Sequence, residues 1–538
     1  MRLPTNFIDL HTNTTYPVVL EVADGRIASI TRVAAAEVPP NHYTCPGLID
    51  AHVHIESSML TPTEFARLAV VHGTVATVSD PHEIANVLGV AGVDYMIDDA
   101  ARTPLKVYFG APSCVPATTF ETAGAEVTVD EVDALLARPD IHYLAELMNW
   151  PGVLHGDADV LAKLASARAH GKPVDGHAPG LLGQQAADYA AAGISTDHEC
   201  FTREEALGKL ALGMHVLIRE GSAAKNFEAL ADLLHTHHEQ LMLCSDDKHP
   251  DSLLEGHIDA LVRRALARGI DLYKVLRAAC VNPVAHYRLD VGLLRIGDPA
   301  DFIVVDHPNS FNIQATYING KCVARAGKTL LPRQPCTVVN HFVAREVAAT
   351  ELACPTTAAT QPVIEVLDGT LVTRRLELPV PVVSGFAKAD PTQDILKLAV
   401  VNRYASAKPA VAFVRNFGLQ AGALASSVAH DSHNLICVGA DDASMARALN
   451  LLMDARGGLV AVTPTDTQLL PLPVAGLMSD ADGYEVATAY TRLDTLAKAI
   501  GSTLGSPFMS LSFLALLVIP SLKLSDRGLF DGERFWFV

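Results

Sequence analysis

The chain has few cysteines, and none of them is placed in a way that indicates a structural role. Nine cysteines occur singly along 538 residues, and no two are separated by only two residues. A disulfide framework needs paired cysteines, and a cysteine-rich zinc site needs closely spaced pairs. The sequence therefore predicts neither.

Long apolar runs and basic clusters are also missing. The most apolar segment, residues 511–520, is about half as long as a membrane-spanning helix and predicts a buried strand or helix instead. The amino terminus lacks the apolar stretch of a secretory signal. Lys and Arg never run beyond two residues, and the formal net charge is −19, which suits nucleic-acid backbones poorly. We expect a cytoplasmic enzyme that acts on a small neutral molecule, without a nucleic-acid or membrane partner.

Short apolar runs alternate with helix-like stretches from residue 46 to residue 284. Apolar residues make up 49% of the chain and charged residues 19%, as in a well-packed globular enzyme. The spacing of the runs suits one strand, loop and helix per unit, and the length approaches the roughly 250 residues of a β/α barrel. We predict an α/β protein with a TIM-like (β/α)8 metallohydrolase barrel. Its eight strands are expected at Leu48–Ile55, Thr74–Ser79, Leu105–Gly110, Ile141–Glu146, Lys172–His177, Gly193–His198, Met214–Arg219 and Leu241–Asp246.

The regions on either side of the barrel show short strand-and-turn patterns. Residues 1–45 and 285–350 predict one small composite β-sandwich domain into which the barrel is inserted. No long first strand precedes Asn6, so we expect this β-domain to be reduced. Residues 355–362 are small and polar and predict a linker. Residues 363–538 predict a C-terminal mixed α/β domain with a strand–helix–strand unit near residues 435–462.

Metal-ligand residue types follow the predicted strands. His52 and His54 stand at i and i+2 in an extended segment, so both imidazoles point to one face. Singly, His177 and His198 could be hydrogen-bonded core or loop residues, and Asp246 could be a helix cap. Because the carboxyl ends of all barrel strands meet at one mouth, their joint occurrence favours a metal centre. The predicted ligands are His52, His54, Glu146, His177, His198 and Asp246.

The run Pro46–His54 resembles the amidohydrolase superfamily, and longer strings resemble the microbial adenine deaminase family. These strings include residues 54–59, 80–86, 218–226, 244–247, 430–434 and 472–479, so the resemblance covers nearly the whole chain. It implies hydrolysis of adenine to hypoxanthine and ammonia in purine salvage, and a dimer or larger homo-oligomer. It also implies two divalent ions per chain, with Mn or Fe favoured and Zn also suited. Many superfamily members bridge their metals with a carboxylated lysine, whereas here Glu146 takes that place.

The mechanism that we expect is a hypothesis built on this ligand set. A hydroxide that bridges the metals attacks C6 of adenine, Glu146 holds the ions together, and Asp246 carries a proton from the hydroxide to the leaving amine. Several residues are predicted to bind the purine, although Arg219 and Glu220 could form a structural ion pair and Glu83 could cap a helix. These predicted substrate-binding residues are Glu83, Glu199, Arg219 and Glu220.

The ligand-rich string at residues 430–434 and the adjacent His82 leave more than one interpretation open. His82, Asp431 and His433 could form a lid over the barrel mouth or bind an additional metal, or the string could be a hydrogen-bonded loop. Two rival functions also stay open. One is a cyclic-amide hydrolase of the hydantoinase or dihydroorotase type, and the other is a non-catalytic, metal-bound binding protein.

Overall fold

Eight parallel strands between residues 48 and 244 form the centre of the protein in a computed structural model that describes residues 1–538. All eight lie where the apolar runs predict them, within a few residues at each end. Five form one parallel sheet and three form another. The strands are Leu48–Val53, Thr74–Ser79, Lys106–Ala111, Ile141–Leu147 and Val174–Gly176, followed by Thr196–Asp197, His215–Arg219 and Leu241–Cys244.

The two parallel sheets meet at both edges and form a closed ring. At one edge the Asp246 amide donates a hydrogen bond to the His52 carbonyl at 2.9 Å. At the other edge the Ser195 amide donates to the Val174 carbonyl, also at 2.9 Å. The predicted TIM-like barrel is therefore confirmed, and the carboxyl ends of its strands share one mouth.

Helices connect the barrel strands and cover them from outside. Thr202 begins one of them as the sequence suggests, because its side chain accepts a hydrogen bond from the Glu205 amide at 3.2 Å. The helices are Pro62–Ala69, His82–Leu88, Val90–Ala100, Val129–Leu136, Trp150–His155, Ala158–Ala169, Gly183–Ala191, Arg203–Ala211, Phe227–Leu230, Leu234–His237, Pro250–Glu255, Ile258–Ala267, Leu272–Leu276 and Asn282–Tyr287.

Strands from both flanks of the barrel lie in a single eight-stranded sheet. The flanks join where Tyr43–Pro46 pairs antiparallel with Phe302–Val305. The expectation that the chain does not begin with a long strand is wrong, because Arg2–Asp9 pairs along its whole length with the next strand. The sheet contains Arg2–Asp9, Thr14–Ala23, Arg26–Arg32, Tyr43–Pro46, Phe302–Val305, Ile313–Ile318, Lys321–Arg325 and Lys328–Thr329.

The C-terminal region is built on a second, mixed eight-stranded sheet. The predicted strand–helix–strand unit is present as Leu435–Gly439, Asp442–Ala455 and Gly458–Val462, with Ala423–Ser426 paired between its two strands. The other strands of this sheet are Thr360–Val366, Thr373–Pro379, Ile395–Val401, Ala410–Arg415 and Thr467–Pro471.

The helix Gly483–Ala499 and several shorter elements complete the C-terminal region. The prediction of a linker over residues 355–362 is wrong for its last three residues. They begin the strand Thr360–Val366, which is paired with a neighbouring strand on each side despite its polar start. The apolar segment 511–520 is buried, as predicted, and continues from the helix Pro507–Ser512. No helix of the chain is both long enough and apolar enough to span a membrane. The remaining elements are Cys354–Pro355, Val382–Val383, Phe386–Ala387, Gly483–Ala499, Leu522–Ser525, Gly528–Asp531 and Trp536–Phe537.

Candidate metal centre

The two histidines of the first barrel strand converge at the barrel mouth. His52 Nε2 and His54 Nε2 lie 3.2 Å apart, and both side chains are buried. His54 Nδ1 lies 3.2 Å from the backbone carbonyl oxygen of Asp80, which can only accept a hydrogen bond. Nδ1 therefore carries the proton and Nε2 presents a lone pair. A lone pair aimed at a second ring nitrogen favours a cation or a proton between them.

Glu146 lies at the centre of the histidine cluster. Its Oε2 is 2.9 Å from His177 Nδ1 and 3.1 Å from His198 Nε2. Its Oε1 is 3.4 Å from His54 Nε2. Burial alone would raise the pKa of this carboxyl, but His177, His198 and His54 outweigh that effect and hold the pKa well below its usual range. Glu146 is therefore an anion that faces both halves of the cluster.

Asp246 completes the cluster from the last barrel strand. Its Oδ1 is 3.5 Å from His52 Nε2 and 3.2 Å from His54 Nε2, while its Oδ2 accepts a hydrogen bond from Arg219. Burial would raise the pKa of the Asp246 carboxyl, but the Arg219 guanidinium and the two histidines lower it well below its usual range. Asp246 thus stays ionised in a buried place.

The donor set fits divalent metal ions. Four imidazoles and two carboxylates are buried together. Two overlapping groups of three place their ligand atoms within 4.8 Å of one another, namely His52, His54 and Asp246, and His52, Glu146 and His198. His177 Nδ1 lies 2.9 Å from Glu146 Oε2, while its Nε2 is buried without a hydrogen-bond partner. Imidazole and carboxylate donors suit Zn, Fe and Mn alike. The structure thus brings all six predicted ligands together.

Two of the predicted substrate-binding residues lie beside the cluster and contact each other. Arg219 forms a bidentate ion pair with Glu199, in which Arg219 Nη2 lies 2.9 Å from Glu199 Oε2. Both side chains are buried. Glu199 Oε1 is also 3.6 Å from His177 Nδ1 and from His198 Nε2. Arg219 thus connects Glu199 to Asp246, and Glu199 and Arg219 both line the cavity beside the ligand cluster.

Glu220 lies outside this cluster. Its carboxylate is 2.7 Å from Arg264 Nη1 and 3.9 Å from Lys225 Nζ, near the protein surface. The side chain follows Arg219 in an extended segment, so it points away from the barrel mouth. The structure therefore does not bring Glu220 to the cavity with the other predicted substrate-binding residues.

The string at residues 430–434 reaches the cavity from the C-terminal region. His430 Nδ1 is 2.5 Å from Glu83 Oε1, and His433 Nε2 bonds the other Glu83 oxygen. His433 Nδ1 accepts a hydrogen bond from the Ala429 amide at 3.3 Å, so both ring nitrogens of His433 have partners, whereas His430 Nε2 has none. His82 lies between Glu83 and the ligand cluster, with Nε2 3.5 Å from Glu83 Oε1 and Nδ1 3.6 Å from Glu146 Oε1.

Three acidic residues near the ligands were not predicted from the sequence. Asp80 accepts the Glu146 amide at 3.2 Å, Asp175 lies 3.9 Å from His52 Nδ1, and Asp50 bonds His257 at 2.7 Å. Carboxylates of this kind orient metal-ligating residues. A signal was present, because Asp50 and Asp175 each precede a predicted ligand by two residues.

A buried lysine supports the histidines of the fifth and sixth strands. Lys209 Nζ donates to Ala178 O at 2.7 Å and pairs with Asp197 at 2.9 Å and Glu205 at 3.0 Å. We expect Lys209→Met to lower the free energy of unfolding by about 3–5 kcal/mol, because two buried carboxylates lose their cation. Urea denaturation measures this, with the exposed Lys225→Met as the control. A loss no larger than that of the control would contradict the interpretation.

The cavity beside the cluster is small, and residues of the C-terminal region form part of its wall. Its free space is about 20 Å³, room for about one water molecule. Met148 lines this cavity and also a larger one of about 1110 Å³. The C-terminal residues that line the small cavity are Leu371, His430, Asp431, Phe513 and Leu516.

Lys523 holds two of these lining segments together without a carboxylate partner. Its Nζ donates to Leu371 O at 2.7 Å and to Phe513 O at 2.9 Å, and burial lowers its pKa from 10.5 to about 7. Between those two pH values the unfolded chain binds more protons at this residue than the folded chain, so its effect on stability becomes more favourable as pH rises.

The measurement is the free energy of unfolding of the wild type and of Lys523→Met at pH 7 and pH 9.5. We expect the difference, wild type minus variant, to rise with pH by on the order of 1 kcal/mol per unit. A difference that does not change with pH would contradict the lowered pKa.

Comparison with known proteins agrees with this architecture. Residues 43–323 match the model of the amidohydrolase family, and residues 370–536 match the model of the adenine deaminase C-terminal domain. An adenine deaminase of Salinibacter ruber is 57% identical over 99% of this chain and 97% of its own length. One of Sulfurovum sp. is 54% identical over 100% of this chain and 99% of its own, and one of Methanosarcina acetivorans is 53% identical over 95% and 94%. The chain therefore belongs to the adenine deaminase family, as its motifs predict, and its barrel is an amidohydrolase domain.

Proposed function

We propose that this protein hydrolyses adenine to hypoxanthine and ammonia, a reaction of purine salvage. The observation that carries the proposal is the full-length similarity to adenine deaminases combined with a complete, buried ligand set. Water supplies the oxygen that bonds to C6, the C6–amine bond breaks, and ammonia leaves. The substrate is a small molecule.

The six clustered residues would hold two divalent ions. His52, His54 and Asp246 would hold one ion, His177 and His198 the other, and Glu146 would bridge them, with Mn or Fe favoured and Zn also suited. Ions bound here would lower the pKa of a water molecule and polarise the bond under attack. Because both nitrogens of His433 have hydrogen-bond partners and both Glu83 oxygens contact histidines, we expect two metals per chain rather than three.

Asp246 is the proton carrier in this proposal. Its carboxylate lies at the edge of the cluster and lines the cavity, within reach of a water that attacks C6. It takes a proton from that water and delivers it to the amine as the C6–nitrogen bond breaks. Arg219 keeps it ionised and oriented, and Glu199 holds Arg219 from the other side.

Glu83 acts as an acceptor and not as an acid. Burial would raise the pKa of its carboxyl, but His430, His433 and His82 together lower it well below the usual range. An ionised carboxylate cannot protonate the purine ring, so its role is to fix the imidazoles that face the cavity.

Adenine enters through the larger cavity. That cavity adjoins the small one at Met148, whose unbranched side chain changes conformation easily. Because the small cavity holds about one water molecule, the purine fits only after lining side chains move aside.

The rival functions have less support. A cyclic-amide hydrolase would share the barrel and paired metals, but the full-length relatives described above are adenine deaminases, and their similarity includes the C-terminal region. A non-catalytic binding protein would be expected to have lost a ligand, and all six are in place. A homo-oligomer and a cytoplasmic location stay predictions from the sequence, and size-exclusion chromatography with light scattering tests the first.

The test of this function uses protein stripped of metal and reloaded separately with Mn, Fe or Zn. Ammonia and hypoxanthine should form from adenine, while hydantoin and dihydroorotate stay intact. Ring opening of either cyclic amide, with adenine unchanged, would replace the proposal by the cyclic-amide hydrolase. Metal bound without turnover of any of the three would favour the binding protein.

A further inference from the structure

A loop of the C-terminal sheet forms the wall of the cavity that faces the ligand cluster. The loop joins the strands Ala423–Ser426 and Leu435–Gly439, and residues 428–434 are all buried. Asn434 Nδ2 donates to Thr122 O of the barrel at 2.8 Å, which fixes the loop on the barrel mouth. The wall is therefore a built surface and not a mobile segment of the C-terminal region.

Two polar atoms of this wall have no hydrogen-bond partner. These atoms are His430 Nε2 and Asp431 Oδ2. The two residues are only 1% and 2% exposed, so bulk water does not supply the missing hydrogen bonds. A buried polar atom without a partner costs about 1–3 kcal/mol. Both residues line the cavity that Asp246 and Glu146 also line. Their free atoms indicate a polar ligand in that cavity.

The orientation of His430 is fixed by its other nitrogen. Nδ1 donates to Glu83, and the ring stacks on Phe513 with centroids 4.3 Å apart and planes at 10°. Burial lowers the pKa of His430, but the carboxylates of Glu83 and Asp247 outweigh it and raise the pKa to about 9. At neutral pH the free Nε2 therefore carries a hydrogen and is a donor.

The Asp431 and Glu146 carboxylates are separated by a single imidazole ring, that of His82. His82 spans the gap, with Nε2 3.8 Å from Asp431 Oδ2 and Nδ1 3.6 Å from Glu146 Oε1. Once His82 and other lining side chains move aside, a flat heterocycle whose reacting carbon faces the cluster would turn its opposite edge toward Asp431 and His430. That wall offers one donor and one acceptor side by side.

The edge of adenine opposite C6 carries the complementary pair, the N3 acceptor and the N9–H donor. We propose that His430 Nε2 donates to N3 and Asp431 Oδ2 accepts from N9–H, so that these two residues select the free base over its nucleosides. This inference rests on the proposed function. A ribose at N9 would remove the donor and leave the Asp431 carboxylate buried without a partner.

The contact at N3 also assists the reaction. When water adds to C6, negative charge develops on N1 and is shared with N3 through C2. A cationic donor at N3 therefore stabilises the transition state more than the ground state. His430 is thus expected to affect both kcat and KM, whereas Asp431 affects mainly KM.

Substrate analogues matched to variants test the pair in the metal-loaded, full-length enzyme. Asp431→Ala should lower kcat/KM for adenine by roughly 10- to 100-fold but leave that for 9-methyladenine nearly unchanged. His430→Asn keeps an amide nitrogen near the Nδ1 position and removes Nε2. It should lower kcat/KM for adenine, but hardly change that for 3-deazaadenine, which lacks N3. Asp466→Asn, at an exposed position of the same region, is the control.

An equal loss with adenine and the matching analogue in either variant would overturn the inference. The unaltered enzyme gives an independent test if a variant fails to fold, since it should favour adenine over 9-methyladenine at least tenfold. Equal turnover of the two would overturn the inference while leaving the proposed function intact. Absence of adenine turnover in the unaltered enzyme would instead overturn the proposed function, and this inference with it.

Discussion

Asp246→Asn should lower kcat for adenine by roughly 10²- to 10⁴-fold, the usual contribution of a positioned acid–base group. The amide keeps the shape of the carboxylate and an oxygen beside His52 and His54, so most of the metal should stay bound. It cannot accept the proton from the attacking water or deliver it to the amine. Arg219 retains Glu199 as an ionic partner, which limits the structural damage.

Steady-state kinetics and metal analysis of the same samples separate these effects. The Asp466→Asn variant, which makes the same chemical change on an exposed loop, should keep wild-type activity. Near-normal kcat in Asp246→Asn with metal bound would refute its role as the proton carrier. Loss of metal in proportion to loss of activity would reduce Asp246 to a ligand.

Glu146→Gln should release metal and abolish turnover. The Glu146 carboxylate is the central anion among His54, His177 and His198, and the amide removes its charge while its nitrogen cannot ligate. Removing one partner from a buried ionic group costs about 3–5 kcal/mol, which corresponds to a loss of metal affinity of roughly 10²- to 10⁴-fold.

Dialysis against a weak chelator followed by metal analysis measures this loss. Glu220→Gln provides the matched control, because the same substitution lies outside the cluster and pairs with Arg264. The control should retain both metals and full activity. Two metals retained by Glu146→Gln would contradict a bridging carboxylate at this position.

The barrel and its ligands could be predicted from the sequence for a physical reason. Parallel strands buried on both faces are continuous apolar runs, and the catalytic residues come directly after them. His52, His54, Glu146, His177, His198 and Asp246 each end such a run, so their convergence follows from barrel closure. Full-length relatives confirm the family that the longer strings indicated.

Contacts between distant segments could not be predicted in the same way. His430 approaches Glu83 across 347 positions of sequence, and no periodicity specifies that the C-terminal loop packs against the barrel mouth. Glu220 was misplaced because one residue along a strand reverses the direction of the side chain. The strand Thr360–Val366 was missed at its start because its pairing, and not its small polar residues, makes it extended.

The measurement that tests the central claim most directly is a titration of metal-free protein with Mn, with ammonia release from adenine followed at each addition. Activity should be absent without metal, rise with each addition and level off at two ions per chain. Activity that is independent of metal, or that stays absent with two ions bound, would contradict the account.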